Sequence, residues 1–212
     1  RLIKANEHTK TEGKGFQKTP DTRPSRSQIL RRITQTCEKY NTVILATTGF
    51  TGRELYKIRD SDNQFYMVGS MGCISSLGLG LALSQPTLSV ILLDGDGAAL
   101  MRLGNLATVG AYAPKNLYHF LLDNESHEST GGQPTVSSSI DFSQIAIGCG
   151  YKTVIQTDEI SEICKELFEI SVNGPKFLHY KTLLETKASL PRPTIKPSDL
   201  IKRFKKHIGA NQ

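Results

Sequence analysis

The chain has 212 residues, 38% of them hydrophobic and 22% charged, with a formal charge of +6 at neutral pH. That is enough for one α/β domain with a core of its own, and no run comes near the roughly 18 apolar residues of a membrane span. The charge argues against a nucleic-acid partner because it sits at the ends. Residues 1–24 hold six Lys/Arg and three Asp/Glu, residues 187–212 hold seven and one, and residues 25–186 are left slightly acidic.

Residues 1–24 are polar and lysine-rich, and are expected to form an arm or linker. Order is expected to begin at Ser25, which with Gln28 has the form of a capping box. Ile29, Leu30, Ile33 and Cys37 follow at helical spacing. A β-branched strand over Thr42–Thr47 ends at Thr47-Thr48-Gly49, and a short helix is expected over Gly52–Ile58. A strand near Phe65–Val68 leads into Gly69-Ser70-Met71-Gly72 and a helix of small residues over Gly72–Leu83. The apolar strand Leu88–Leu93 opens into Asp94-Gly95-Asp96-Gly97 and a helix to about Tyr112. A second apolar strand, Leu117–Leu122, ends at Asp123-Asn124, and a long polar loop covers Glu125–Ser139. The last units are a helix over Asp141–Cys149, a strand over Thr153–Gln156, a helix over Glu159–Val172 and a strand over Lys176–Thr182.

Strands alternating with helices predict an α/β domain over residues 25–186, an open parallel sheet with helices on both faces. The near-solid apolar strands agree, since such strands are buried on both sides. Residues 187–212 read as a basic tail, extended through Pro191, Pro193 and Pro197, with a helical turn around Leu200–His207. Cys37, Cys73, Cys149 and Cys164 have neither metal-ligand nor redox spacing, so a cytoplasmic, reducing location is expected.

Ligands of open α/β sheets bind beyond the carboxyl ends of the strands, and there this sequence is loaded with Gly, Asp, Asn and Thr. Gly95-Asp96-Gly97-Ala98 joins a buried strand to a helix. Glycines let the backbone approach an anion, but Asp96 would repel a bare phosphate. A divalent cation between carboxylate and phosphate resolves the conflict, and Mg2+ takes one or two protein oxygens together with phosphate oxygens. Asn124, at the neighbouring strand end, is the candidate second ligand. Taken alone, Gly-Asp-Gly and Asn124 could equally be turn residues.

The spacing from Gly95-Asp96-Gly97 to Asn124 resembles the thiamine-diphosphate motif, Gly-Asp-Gly followed after such an interval by Asn-Asn. Asp123 replaces the first Asn. The resemblance extends to Ala46-Thr47-Thr48-Gly49, Val68-Gly69-Ser70-Met71-Gly72, Pro114-Lys115-Asn116-Leu117 and Ser129-Thr130-Gly131-Gly132-Gln133-Pro134-Thr135. Over residues 25–185 the chain is similar to the C-terminal, diphosphate-binding domain of the phosphonopyruvate decarboxylase and sulfopyruvate decarboxylase β-chain family. The resemblance implies thiamine diphosphate and Mg2+ as cofactors, with Asp96, Asn124 and the Ser126 carbonyl on the metal. It places Thr48, Gly95, Gly97, Ala98 and Ser129 near the diphosphate. The Gly69 carbonyl and the Met71 amide would meet the aminopyrimidine, and the Met71 side chain would wedge the cofactor into its bent shape. His127 would meet substrate. The implied reaction is decarboxylation of a small anionic 2-oxoacid, 3-phosphonopyruvate to phosphonoacetaldehyde and CO2. A sulfopyruvate decarboxylase β-chain, or a cofactor-binding subunit without turnover, is the alternative. The glutamate that bonds the pyrimidine belongs, in this family, to a separate pyrimidine-binding domain. The chain is therefore expected to work with that domain or subunit, in a homo- or hetero-oligomer.

Overall fold

The computed structural model describes residues 22–158, 160, 173–185 and 190–210. The arm over residues 1–21 and nearly all of the helix expected over Glu159–Val172 fall outside the described residues. The centre is a six-stranded sheet of β1 (Thr42–Ala46), β2 (Gln64–Tyr66), β3 (Ser89–Gly95), β4 (Leu117–Asp123), β7 (Thr153–Thr157) and β8 (Lys176–Lys181). Its order is β2-β1-β3-β4-β8-β7, and every neighbouring pair is parallel. A small antiparallel hairpin, β5 (Ser126–His127) with β6 (Gln133–Pro134), stands apart from it.

Side chains alternate faces along a strand, and both faces are apolar. Ile44, Ala46, Ile91, Leu93, Phe120, Leu122, Leu178 and Tyr180 point to one side. There they meet α1 (Arg26–Cys37) and α2 (Phe50–Ile58) through Ile29, Leu30, Ile33 and Leu55. Val43, Leu45, Val90, Leu92, Leu121 and Phe177 point to the other side. Here α3 (Ile74–Ser84), α5 (Asn105–Tyr112) and α6 (Phe142–Gly148) cover them. The expected open parallel sheet with helices on both faces is therefore the observed fold. The small residues of α3 have a packing reason. A Cβ at Gly78 would lie 2.2 Å from a methyl of Leu92, so only glycine lets this helix settle onto β3.

Local signals set the helix starts. Ser25 Oγ accepts from the Gln28 amide and Gln28 Oε1 accepts from the Ser25 amide, completing the capping box of α1. Asp141 caps α6 by accepting from the Ser143 and Gln144 amides.

Four elements depart from the sequence reading. The helix expected to reach Tyr112 is two helices, α4 (Asp96–Met101) and α5, separated by a turn at Arg102–Gly104. Gly104 is a poor helix former, and the Asn105 amide bonds back to the Arg102 carbonyl across that turn. Strand β3 runs on to Gly95 and β4 to Asp123, because the buried carboxylates of Asp94 and Asp123 find partners. The segment read as a basic tail forms α7 (Pro197–His207), which packs on the edge strand β2. Leu200 enters one core cluster and Phe204 the other, with the Phe204 ring 5.4 Å from that of Phe65. Arg203 adds a two-pronged pair to Asp60 at 2.7 Å. No helix among the described residues is long and apolar enough to cross a membrane.

After β1 the chain passes to one neighbour, β2, and then returns to the other, β3. The crevice between the carboxyl ends of β1 and β3 is thus the switch point at which such sheets take ligands. Phe204→Ala should cost about 3 kcal/mol, the usual range for emptying a buried aromatic site. Urea unfolding of the variant checks this; an unchanged midpoint would make α7 a loose appendage.

Candidate functional site

A cleft opens at that switch point. It is lined by Thr47, Thr48 and Gly49 after β1, by Gly95 to Ala98 between β3 and α4, and by Leu122, Asn124 and Ser126 at the end of β4. Met71, Phe50, Thr51, Arg26, His127, Glu128 and Ser129 complete the wall. The sequence-predicted Thr48, Met71, Gly95, Asp96, Gly97, Ala98, Asn124, Ser126, His127 and Ser129 all line it. Gly69 lines an adjoining cleft, which shares Thr47, Thr48 and Gly49 with the first. Between them, Ser70 has a left-handed backbone with φ of 48°, unusual for a residue with a side chain.

Two carboxylates lie side by side here in opposite environments. Asp96 is buried, and Thr135 Oγ1 donates to its Oδ2 at 2.5 Å. Burial pushes its carboxyl up to about 6, against the Thr135 hydrogen bond and with the help of the Asp123 charge. Asp123, the residue that departs from the Asn-Asn pattern, is turned away from the cleft. His179 Nε2, Lys181 Nζ and Ser137 Oγ each donate to it at 2.8 Å, and the Glu125 amide at 3.0 Å. Burial alone would raise it, but the bonds from His179, Lys181 and Ser137 prevail and bring it down to about 2.

Asn124 presents an amide beside Asp96. Its Nδ2 donates to Glu128 Oε2 at 3.0 Å and its Oδ1 accepts from the Ser126 amide at 3.1 Å, which leaves that oxygen a second lone pair. Among the described residues no three His, Cys, Asp or Glu side chains cluster as a metal site. A cation here would have one carboxylate, one amide and main-chain oxygen, so it would have to be hard and share its shell with an anion. Mg2+ held together with a diphosphate meets that demand, and Asp96, buried without a cationic partner among the described residues, is the group it would neutralise. The donor set fits the implied group.

The polar stretch Glu125–Ser139 is a compact hairpin instead of an irregular loop. The Thr135 amide bonds the Glu125 carbonyl at 2.9 Å and the Gly132 amide bonds the His127 carbonyl at 3.1 Å. Its base carries Thr135 to Asp96 and Ser137 to Asp123. Its tip, Thr130 to Gly132, is exposed and does not line the cleft. The His127 ring packs on the Gly97 turn: a Cβ at Gly97 would lie 2.5 Å from His127 Nδ1, so the second glycine of the motif leaves room for that ring.

Sequence reading missed Arg26 and Glu54, and gave Glu128 and Thr135 no place in the site. Arg26, the first residue of α1, pairs with Glu54 Oε2 of α2 at 2.8 Å and Glu128 Oε2 of the hairpin at 2.7 Å. The capping box marked where α1 starts, but nothing marked what that start would face.

Comparison with known proteins agrees with this geometry. Residues 47–180 match the thiamine pyrophosphate enzyme family, in its C-terminal TPP binding domain. The chain belongs to that family. Within it, the chain is 42% identical over 186 residues to a phosphonopyruvate decarboxylase of Streptomyces hygroscopicus, covering 87% of this chain and 46% of that protein. It is 40% identical over 190 residues to a sulfopyruvate decarboxylase subunit beta of Methanothermobacter thermautotrophicus, covering 88% of this chain and 97% of that subunit. The chain thus spans about half the length of the phosphonopyruvate decarboxylases it matches and nearly all of the β subunit. A solved 2-oxoglutarate:ferredoxin oxidoreductase from Magnetococcus marinus superposes with a TM-score of 0.64 at 15% identity, over 79% of this chain and 65% of that one, a likeness of fold.

The lowered carboxyl of Asp123 makes a prediction with a definite sign. A group whose pKa falls from 3.8 unfolded to about 2 folded stabilises the fold above about pH 4, and loses that contribution as the pH drops toward 2. Asp123→Asn should therefore cost about 2 kcal/mol at pH 7, with the gap to the parent protein narrowing at pH 3. Urea midpoints at the two pH values measure it; a constant gap would mean that the charge of Asp123 contributes nothing.

Proposed function

We propose that this chain supplies the diphosphate- and magnesium-binding half of the active site of a 2-oxoacid decarboxylase. The favoured reaction is 3-phosphonopyruvate to phosphonoacetaldehyde and CO2. The observation that carries the reading is the pairing of Asp96 and Asn124 across the ends of β3 and β4, in a cleft at the switch point of a domain from this family.

Thiamine diphosphate, when bound, supplies the nucleophilic carbon and the electron sink for loss of CO2. The rest falls to the protein. Asp96, Asn124 and the Ser126 carbonyl hold the cation. Thr135 occupies one Asp96 oxygen and so directs the other. Thr48, Gly95, Gly97, Ala98 and Ser129 would hold the diphosphate, and the Gly69 carbonyl, the Met71 amide and the Met71 side chain would hold the thiamine rings. His127, fixed over Gly97, offers a ring nitrogen to the oxoacid. The glutamate that bonds the pyrimidine comes from a pyrimidine-binding domain or partner chain. Among the described residues Glu128 is the glutamate that lines the cleft, and it is tied to Arg26.

The second reading is a sulfopyruvate decarboxylase β chain working with a separate subunit, favoured by the match over 97% of such a subunit. His127 followed by Glu128 favours the phosphonate.

Asp96→Ala should abolish magnesium-dependent binding of thiamine diphosphate, because the diphosphate would lose its cation. Isothermal calorimetry decides; undiminished affinity would sink the assignment. In the complete enzyme, His127→Ala should lower turnover of the oxoacid about a hundredfold or more, the low end for losing a positioned proton-transfer or hydrogen-bonding group, while leaving cofactor affinity within about twofold. Equal turnover in the variant would remove His127 from the site.

A further inference from the structure

Arg26 is a charged residue of the cleft to which the proposed function gives no part in binding. Its side chain is 7% exposed, and so is that of Glu128. Nε and Nη1 are occupied by Glu54 and Glu128, and the ring of Phe50 lies 5.8 Å from the guanidinium carbon. Nη2 is buried and has no hydrogen-bond partner among the described residues, and neither has Glu128 Oε1. A purely structural tie would explain two of the three guanidinium nitrogens. It would not explain why the third is buried without an acceptor among the described residues, which is costly for a polar group.

The two open atoms belong to a pair of side chains that touch each other, and both side chains line the cleft. One is a donor and the other an acceptor. A matching ligand brings an oxyanion oxygen for Nη2 and an O–H for Oε1. A phosphorus oxyanion can do both, either through its own P–OH or through water on an accompanying cation. A sulfonate, a far stronger acid, carries no proton of its own. Glu54 and Glu128 together outweigh the charge of Arg26, so a bare anion gains little here and the paired donor and acceptor gain more. Glu128 also holds the Asn124 amide, which couples this wall of the cleft to the candidate cation ligands.

The geometry points to Arg26 as a binding residue for a phosphorus oxyanion, through Nη2, with Glu128 taking the proton-bearing oxygen beside it. The inference rests on the proposed cofactor reading. Two sources share this chemistry: the diphosphate of the cofactor and the phosphonate of the substrate.

Calorimetry on the complete enzyme, this chain together with its pyrimidine-binding domain or subunit, separates them. Thiamine diphosphate is titrated with Mg2+, and phosphonoacetate, a non-reactive phosphonate, is titrated with and without both. Arg26→Lys keeps a cation for the two glutamates but loses the guanidinium fork. It should weaken one of the two ligands about tenfold or more, with circular dichroism and urea midpoint showing the fold intact. Loss at thiamine diphosphate identifies the diphosphate as the source, and loss at phosphonoacetate alone identifies the phosphonate. Unchanged affinity for both overturns the inference and leaves the cofactor reading standing. A parent enzyme, complete with that domain or subunit, that takes up neither ligand overturns both. Should Arg26→Lys fail to fold, crystals of the parent enzyme with each ligand settle the matter. A phosphorus-bound oxygen about 3 Å from Nη2 is expected, and none within about 4 Å in either complex overturns the inference.

Discussion

A charge kept at zero exposure sets the terms for everything at the carboxyl end of the sheet. Asp123 ends β4 inside the protein, and an ionised carboxylate there is tolerable only if its oxygens are matched by donors. Those donors come from three separate places: the hairpin amide of Glu125, Ser137 beyond the hairpin, and His179 and Lys181 on the next strand. Satisfying one carboxylate therefore docks β8 against β4 and closes the hairpin onto the sheet. Asn124, one residue further on, inherits its position from that arrangement.

Asp96 is the counterpart. It has the same burial and one hydroxyl partner, and its carboxyl is pushed up where that of Asp123 is held down. Neighbouring acids driven in opposite directions by their surroundings divide labour. One is completed by the protein itself and holds structure. The other is left incomplete at a cleft, where a cation can complete it. The substitution of Asp for the first Asn of the motif thus adds a structural anchor without adding a ligand.

What was legible in the sequence follows from how far each signal had to reach. Strands β3 and β4 are buried on both faces and read as solid apolar runs, and the turns at their ends carried the glycines, Asp96 and Asn124. The hairpin was not legible, because its pairing runs through backbone groups and its residues are polar throughout. Helix α7 was partly legible: Leu200, Phe204 and Ile208 stand four apart, a helical stripe obscured by the prolines and lysines around it. The contact between Arg26 and Glu128 spans 102 residues and has no local signature at all. It arises because the capping box starts α1 just where the crevice lies, and only the assembled sheet reveals that.

Helix α7 also has a bearing on how the protein behaves in a crowded solution. Strand β2 is an outer strand of a parallel sheet, three residues long, and such a border offers unpaired backbone groups to any passing chain. By lying against it and sheltering Phe65, α7 acts as a guard against edge-to-edge aggregation. Expression trials that trim the carboxyl end before Pro197 would remove that guard, and the expected penalty is self-association and poor yield.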